Sequence, residues 1–169
     1  MGREIRRVPG NWEHPKDENG HKPLFGGCFA DHTTEWDVSN ANWQQGLCRS
    51  YAKDGPEWES ISVKYKGMPY AEYAGPRPDP DRYMPQWSEE EKTHLQMYEC
   101  TTEGTPISPV CATIEELARW LTDNNASAFA GMPASYEAWF NMCKRGSAPT
   151  AFCVLGVGII SGVAGISEF

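Results

Sequence analysis

The chain has 169 residues, with 40% hydrophobic side chains, 22% charged side chains and a net charge of −8. These values are typical of a globular protein with one domain, or one domain with a long embellishment. The negative charge argues against a nucleic-acid-binding protein, which needs cationic surface to displace phosphate counterions. The only basic cluster, Arg3, Arg6 and Arg7, indicates a solubilising or strand-edge feature. The N-terminal sequence has no apolar signal segment, so we expect the six cysteines to be free thiols.

The two halves of the chain differ in the side chains with which they can build a core. Residues 1–87 hold 12 of the 20 aromatic residues and 9 of the 13 prolines, but only seven Ile, Leu or Val, whereas residues 88–169 hold 13 of these aliphatic residues. Aromatic side chains bury much area per residue and can substitute for aliphatic ones. We therefore predict an aromatic and proline-rich wrapping region at 1–87, which does not fold independently, and a compact α+β core at 88–169.

The first half contains a short strand and a long helix. Residues 5–8 form the predicted strand, which Pro9 ends. From 29 to 47 the apolar residues recur at intervals of 7, 7 and 4, which is a helical stripe. The prolines at 75–80 predict an extended segment, because each disfavours helical geometry in the residue before it.

The second half contains three helix starts. Ser88 with Glu91 and Thr113 with Glu116 have the capping-box spacing, and a third helix begins about Ser135. The helix after Thr113 is predicted to stop near residues 124–125. The last helix is predicted to end at Gly146, which suits a left-handed C-terminal cap. A strand is predicted at 95–101 between the first and second of these helices.

The C-terminal segment 146–167 carries no charge and allows two structures. Gly158 and Gly162 fit the small-xxx-small pattern of paired membrane helices, which would make the segment an anchor. The alternative is a β-hairpin of 151–155 and 159–163 around a glycine turn, which the glycine and β-branched content favours. The predicted fold class is therefore α+β: a small antiparallel sheet with two helices of the C-terminal half and a C-terminal β-hairpin, covered by the aromatic and proline-rich N-terminal half.

The most distinctive electrostatic feature is an acidic segment between residues 89 and 116. Two of its clusters lie at predicted helix N-termini, where carboxylates interact favourably with the helix dipole. The remaining charge suits a surface that steers onto a basic partner protein, with aromatic neighbours as contact residues. The predicted partner-binding residues are Glu89, Glu90, Glu91, Glu99, Glu103, Trp87 and Tyr83. No direct nucleic-acid binding is expected.

Four potential metal ligands lie within a short stretch: His14, His21, Cys28 and His32. Zinc requires four such ligands in tetrahedral geometry, but their spacing matches no standard zinc motif. In the alternative, which we favour, the histidines hydrogen-bond within turns and the cysteine is buried. The sequence also lacks a G-x-S-x-G elbow and a glycine-rich phosphate loop. We therefore predict neither a cofactor nor an identifiable catalytic residue.

Several strings resemble an uncharacterised family of small tailed-bacteriophage proteins. They are VPGNWEHP, RPDPDRYMPQW, MYECTTEGTPISPV, ELARWLTDNNASAF and RGSAPTAFCV with IISGVAG, and together they span nearly the whole chain. The resemblance implies a viral protein made in the cytoplasm of a bacterial host. It carries no activity that can be assigned to particular residues.

The function that these expectations favour is that of a phage accessory protein without enzymatic activity. It would bind a host or phage protein, as an inhibitor of a nucleic-acid-targeting defence complex does. Two alternatives stay open: a structural or assembly component of the virion, and a metal-dependent enzyme acting on nucleic acid or nucleotides. The oligomeric state does not follow from the sequence.

Overall fold

A computed structural model describes residues 2–51, 57–100, 104–156 and 158–168. The strands, in chain order, are β1 (Arg3–Val8), β2 (Lys16–Asp17), β3 (Gly20–His21), β4 (Leu47–Arg49), β5 (Trp58–Ser60), β6 (His94–Glu99), β7 (Thr105–Pro106), β8 (Ser147–Ala148), β9 (Ala151–Val154) and β10 (Gly158–Ser161). The α-helices are α1 (Phe29–Gln44), α2 (Tyr70–Ala74), α3 (Ile114–Asp123), α4 (Tyr136–Arg145) and α5 (Gly162–Glu168). Short 3₁₀ turns lie at Val63–Tyr65 and Pro80–Arg82.

The main sheet has four strands in the order β7-β6-β1-β8, and all its pairs are antiparallel. Its longest pair joins β1 to β6, in a register that runs from Arg3 opposite Glu99 to Val8 opposite His94. Three two-stranded ladders, β2–β3, β4–β5 and β9–β10, complete the β structure. The predicted α+β class with a small antiparallel sheet is confirmed.

Each face of the sheet packs against a different apolar cluster. Met97 is fully buried with the helices α3 and α4, in a cluster that includes Trp139 and Val163. The next residue, Tyr98, is also fully buried, but it packs with Val8 and with residues outside these helices. Successive side chains of a strand point to opposite faces, so β6 supplies both layers.

The caps of α3 and α4 are the ones that the sequence predicts. The Thr113 side chain accepts a hydrogen bond from the Glu116 amide, and the Ser135 side chain accepts one from the Ala138 amide. Gly146 ends α4 with a φ of 94°, which is left-handed and suits glycine. These two helices of the C-terminal half are confirmed.

A short helix predicted after Ser88 is wrong. The capping box itself forms, because the Ser88 amide donates to the Glu91 carboxylate and the Glu91 amide donates to the Ser88 hydroxyl. It closes only a single turn, since β6 begins at His94. A helix needs several further residues to offset the cost of its first turn.

Residues 146–167 include the short strand β8, the hairpin β9–β10 and most of α5, so the predicted C-terminal hairpin is confirmed. The helix α5 is an element that the sequence analysis missed. Gly162 begins it where the chain passes close to Pro149: a Cβ on Gly162 would lie 1.8 Å from the Pro149 carbonyl oxygen. The glycine therefore allows the start of α5 to pack closely against the backbone between β8 and β9. Within the described ranges, no helix has the length and apolar character needed to cross a bilayer.

Residues 27–83 form a separate compact unit. Its helix α1 carries Trp43, whose ring stacks on Tyr73 at 4.4 Å between centroids and whose indole nitrogen donates to the Met68 carbonyl oxygen at 2.6 Å. Trp36 lies two turns earlier on the same face of α1, and its indole nitrogen donates to the Gly75 carbonyl oxygen at 3.2 Å. Leu47, the last residue of the predicted stripe, lies instead in β4.

The other compact unit combines residues 1–26 with 84–169. This division differs from the predicted boundary after residue 87, because β1 pairs with β6 and β8 and thereby joins the N-terminus to the second half. The chain leaves this unit after Gly26 and returns at Met84, and the Met84 amide donates to the Phe25 carbonyl oxygen at 3.0 Å.

Arg3 occupies the end of β1 that is enclosed between β6 and β8, where its side chain is only 5% exposed. One guanidinium nitrogen donates to the Glu99 carboxylate at 2.8 Å, and two others donate to the Ser127 carbonyl oxygen at 2.8 and 2.9 Å. The sequence interpretation of this arginine as solubilising is wrong. Arg3 forms an internal ion pair with Glu99, and its bonds to Ser127 connect the sheet to the loop between α3 and α4.

The other two arginines of β1 lie where β8 no longer covers the strand. Arg6 is stacked over the Tyr98 ring, with 4.2 Å between the guanidinium carbon and the ring centroid, and it donates to the Leu24 carbonyl oxygen at 2.7 Å. Arg7 is exposed and forms an ion pair with Glu89 at 3.0 Å. Only Arg7 therefore has the strand-edge character that the sequence indicated.

Substitution of Glu99 by Ala should destabilise the chain by about 3 kcal/mol, because it leaves the buried Arg3 guanidinium without its counter-charge. Urea denaturation measures the change. The matched control is Glu89→Ala, which removes the exposed partner of Arg7 and should leave the midpoint almost unchanged. Equal midpoints for the two variants would contradict the structural role of the Arg3–Glu99 pair.

Candidate functional site

Three of the predicted partner-binding carboxylates lie in the turn before β6. Glu89, Glu90 and Glu91 are all exposed. A hydrogen bond from Lys92 lowers the pKa of Glu89, and hydrogen bonds from the Ser88 amide and hydroxyl lower the pKa of Glu91. The carboxylates of Glu89 and Glu91 therefore stay ionised to lower pH than an ordinary glutamate.

Two further carboxylates lie near the start of β6, on the first turn of α3. Leu95 and Cys111 exchange two backbone hydrogen bonds of 2.8 Å, which places the first turn of α3 beside the beginning of the strand. That turn carries Glu115 and Glu116, both exposed. We call the five residues Glu89, Glu90, Glu91, Glu115 and Glu116 the acidic patch. Arg7 and Lys92 compensate only part of its charge.

Glu99 does not belong to the acidic patch. It lies at the opposite end of β6, and its carboxylate is held by Arg3. Glu103 lies outside the described residues. The structure therefore separates the acidic residues of the sequence into a patch at one end of the strand and an internal ion pair at the other.

The two aromatic residues predicted to contact a partner are both partly buried and belong to different compact units. Trp87 packs edge-on against Trp12 at 4.8 Å between ring centroids. Tyr83 packs against Phe29, and its hydroxyl lies 3.0 Å from Nδ1 of His32. Each ring contributes to packing within its own unit.

The four potential zinc ligands also divide between the units. His14 and His21 lie together, with ring centroids 5.7 Å apart, in one unit, whereas Cys28 and His32 belong to the other. In the part of the chain that the structure describes, no three His, Cys, Asp or Glu side chains are grouped so that they could hold a metal ion. The histidines His14 and His32 make hydrogen bonds instead.

All six cysteines are free thiols in the structure. Burial raises the pKa of Cys143 to about 12 and that of Cys111 to about 11. Both thiols lie in the apolar cluster under α3 and α4. A nucleophilic cysteine needs a lowered pKa, so these two residues act as small apolar side chains.

Sequence reasoning missed a groove on the same unit as the acidic patch. Its volume is about 910 Å³, within the range of small-molecule sites. The β2–β3 hairpin forms one wall, and the segment 106–109 with Trp120 forms the other. Its lining residues are Glu13, His14, Pro15, Lys16, His21, Gln96, Pro106, Ile107, Ser108, Pro109 and Trp120.

A buried hydrogen-bond network lies at the base of this groove. The Tyr98 hydroxyl is at its centre, 2.8 Å from Oε1 of Gln96, 3.1 Å from Nδ1 of His14 and 3.2 Å from the Trp12 indole nitrogen. The Gln96 amide nitrogen donates to the Ser108 carbonyl oxygen at 2.9 Å. The sequence signal for the network was weak, because its members are far apart in the chain and only the β1–β6 pairing brings them together.

Burial changes the ionisation of two members of the hydrogen-bond network. Burial lowers the pKa of His14 against the opposing effect of its hydrogen bond to the Lys22 carbonyl oxygen, and the nearby His21 and Arg6 lower it further. Burial also raises the pKa of Tyr98 to about 12. At neutral pH the imidazole and the phenol are therefore both uncharged. Perturbed groups in a cleft are typical of binding and catalytic sites.

Comparison with protein-family models, curated proteins and solved structures gives no match for this chain.

The free energy of unfolding should decrease as the pH falls from 7.5 to 5.5. Folded His14 binds its proton less tightly than unfolded His14, so the stability associated with its neutral form is complete above about pH 6.5 and is lost below it. Urea midpoints at these pH values measure the effect, and His14→Gln should flatten the dependence. A wild-type midpoint that stays constant over this range would contradict the prediction.

Proposed function

We propose that this chain is a bacteriophage accessory protein that acts in the cytoplasm of the bacterial host as a non-enzymatic binding module. In this proposal it inhibits a nucleic-acid-targeting defence complex of the host through the acidic patch. The observation that carries the proposal is the gathering of five exposed carboxylates around the Leu95–Cys111 bridge. The resemblance to small phage proteins supplies the biological setting.

The chemistry of the patch suits a cationic partner. A defence complex that holds DNA or RNA must have a basic groove for the phosphate backbone, and binding there releases counterions. Carboxylates that keep their charge can take the place of phosphates in such a groove. Complementary charge of this kind raises the association rate and selects the partner.

The backbone supports the patch as a fixed surface. The capping box of Ser88 and Glu91 closes the turn at 88–91, and the Thr113 cap fixes the start of α3, where the Glu116 carboxylate also accepts from the Ala112 amide at 2.8 Å. Preorganised groups lose little entropy when a partner binds. The acidic residues that make these caps thus position the patch as well as contributing charge.

The test reverses two charges that carry no capping bond in the structure, in the variant Glu90→Lys/Glu115→Lys. Two reversals within the patch should weaken binding to a purified RNA-guided nuclease complex by at least about tenfold and should abolish protection of a restricted phage in plating assays. The wild-type interaction should also weaken as salt rises, since the patch is exposed.

The matched control is Glu18→Lys/Glu59→Lys, which changes the net charge equally at exposed positions outside the patch. This control should bind and protect like the wild type. Equal behaviour of the two double variants would mean that net charge, and not the patch, governs the interaction. Failure of the wild-type chain to protect against any defence complex in a host panel would refute the inhibitor function.

A second candidate function, a structural or assembly component of the virion, is favoured by the tip of the β9–β10 hairpin. Leu155 is fully exposed and Ile159 is 63% exposed there. Exposed apolar side chains at a hairpin tip suit burial against another subunit. Mass spectrometry of purified particles distinguishes the two functions: a constant copy number in the virion supports assembly, and absence from particles supports the inhibitor.

A further inference from the structure

Among the residues that the structure describes, the base of the groove lacks one hydrogen-bond donor. This follows from assigning each proton of the network to a position. The Ser108 carbonyl oxygen can only accept, so it fixes the Gln96 amide nitrogen toward itself and leaves Oε1 facing the Tyr98 hydroxyl. The Lys22 carbonyl oxygen, 2.7 Å from Nε2 of His14, likewise fixes the proton of the neutral imidazole on Nε2.

Two acceptors then compete for the single proton of the Tyr98 hydroxyl. They are Nδ1 of neutral His14 and Oε1 of Gln96, at 3.1 and 2.8 Å. The Trp12 indole also donates to this hydroxyl and brings no proton to either acceptor. One of the two acceptors is therefore left without a donor among the described residues.

The shortage matters because both residues that carry these acceptors are buried and line the groove. His14 is 8% exposed and Gln96 is 5% exposed, yet each contributes to the wall of the cavity. An unpaired acceptor in such a position is energetically unfavourable. At neutral pH the lowered pKa of His14 and the raised pKa of Tyr98 keep the network in this state. A molecule that enters the groove with an N–H group can supply the missing bond.

The walls and rim of the groove define the rest of such a molecule. Trp120 with Pro106 and Pro109 offers a flat apolar wall, against which a planar ring can pack. Lys16 and His21 are directly opposite each other in the β2–β3 ladder and both line the groove. Opposite residues of an antiparallel pair lie close together, so the rim presents two nitrogen groups to an anion.

We propose that the groove binds a nucleoside phosphate, with an N–H of the base donating to the Gln96–His14 acceptor pair, the ring against Trp120 and the phosphate at Lys16 and His21. This site is separate from the acidic patch in residues and in charge, and the inference does not depend on the inhibitor function. The volume of about 910 Å³ accommodates a ligand of this size.

Isothermal titration calorimetry of the full chain with guanosine 5′-monophosphate and uridine 5′-monophosphate tests the proposal. Guanosine and inorganic phosphate serve as the separate halves of the ligand, and each should bind at least about tenfold more weakly than the nucleotide. Tryptophan fluorescence provides a second readout, since two indoles lie at or beside the groove. If neither nucleotide binds at millimolar concentration, the proposal is overturned.

Two variants separate the two parts of the site. Lys16→Ala/His21→Ala should weaken nucleotide binding by about tenfold and leave guanosine binding unchanged, because it removes only the anion contacts. Gln96→Met should weaken the binding of both guanosine and the nucleotides, because it removes the acceptor and keeps a side chain of similar shape. The exposed residue Lys144 provides the control Lys144→Ala, which should bind like the wild type.

The Lys16→Ala/His21→Ala variant tests the proposal even if Gln96→Met does not fold, because Lys16 and His21 are exposed and their replacement leaves the core intact. Nucleotide binding that is unchanged in the Lys16→Ala/His21→Ala variant overturns the assignment. The acidic-patch variant Glu90→Lys/Glu115→Lys should keep wild-type nucleotide affinity, so the result is independent of the inhibitor test.

Discussion

The pairing of β1 with β6 is the interaction on which the rest of the unit formed by 1–26 and 84–169 depends. It joins the N-terminus to the second half of the chain over six residue pairs. One face of the pair supplies Met97 to the apolar core under α3 and α4. The other face presents Gln96 to the groove and stacks Arg6 on Tyr98, and the end of the pair encloses Arg3 with Glu99.

This pairing also determines how the charge of the chain is used. Arg3 and Arg6 are both largely buried by contacts within the sheet layer, so they contribute little positive charge to the surface. The acidic side chains near the start of β6 are compensated only in part, by Arg7 and Lys92. Five of the 23 acidic side chains of the chain are thus grouped near the start of β6. The sign of the charge follows from composition, but its location follows from the strand register.

Local signals in the sequence predicted the elements that depend on nearby residues. The caps at Thr113 and Ser135, the glycine after α4 and the glycine-punctuated hairpin are all decided within a few residues of the chain, and all are confirmed. The turn after Ser88 shows the limit of this reasoning, because the capping bonds form there although the helix does not. A competing strand only three residues beyond Glu91 decides the outcome.

Features that depend on distant residues did not follow from the sequence. The burial of Arg3 requires knowledge that β1 lies between β6 and β8 at that point, and its basic neighbours gave the opposite impression. The groove combines residues from 13–21, 96–109 and α3, none of which forms a motif alone. For the same reason Glu99 was predicted as a partner-binding residue together with Glu89, Glu90 and Glu91, although it lies at the far end of β6. Composition identified the aromatic content of 1–87 without showing that 27–83 forms its own unit.

The hydrogen bond between Phe25 and Met84 has a consequence for the order of folding. This bond joins the residues on either side of the segment 27–83, so the segment is an insertion within the connection from β1 to β6. If this insertion folds first, the loop between β1 and β6 becomes about three times shorter in effect. The entropic cost of closing that loop then falls by about 1 kcal/mol. The ribosome also delivers the insertion before β6. The aromatic stacking inside it can therefore assist a long-range pairing of two strands that lie outside the segment.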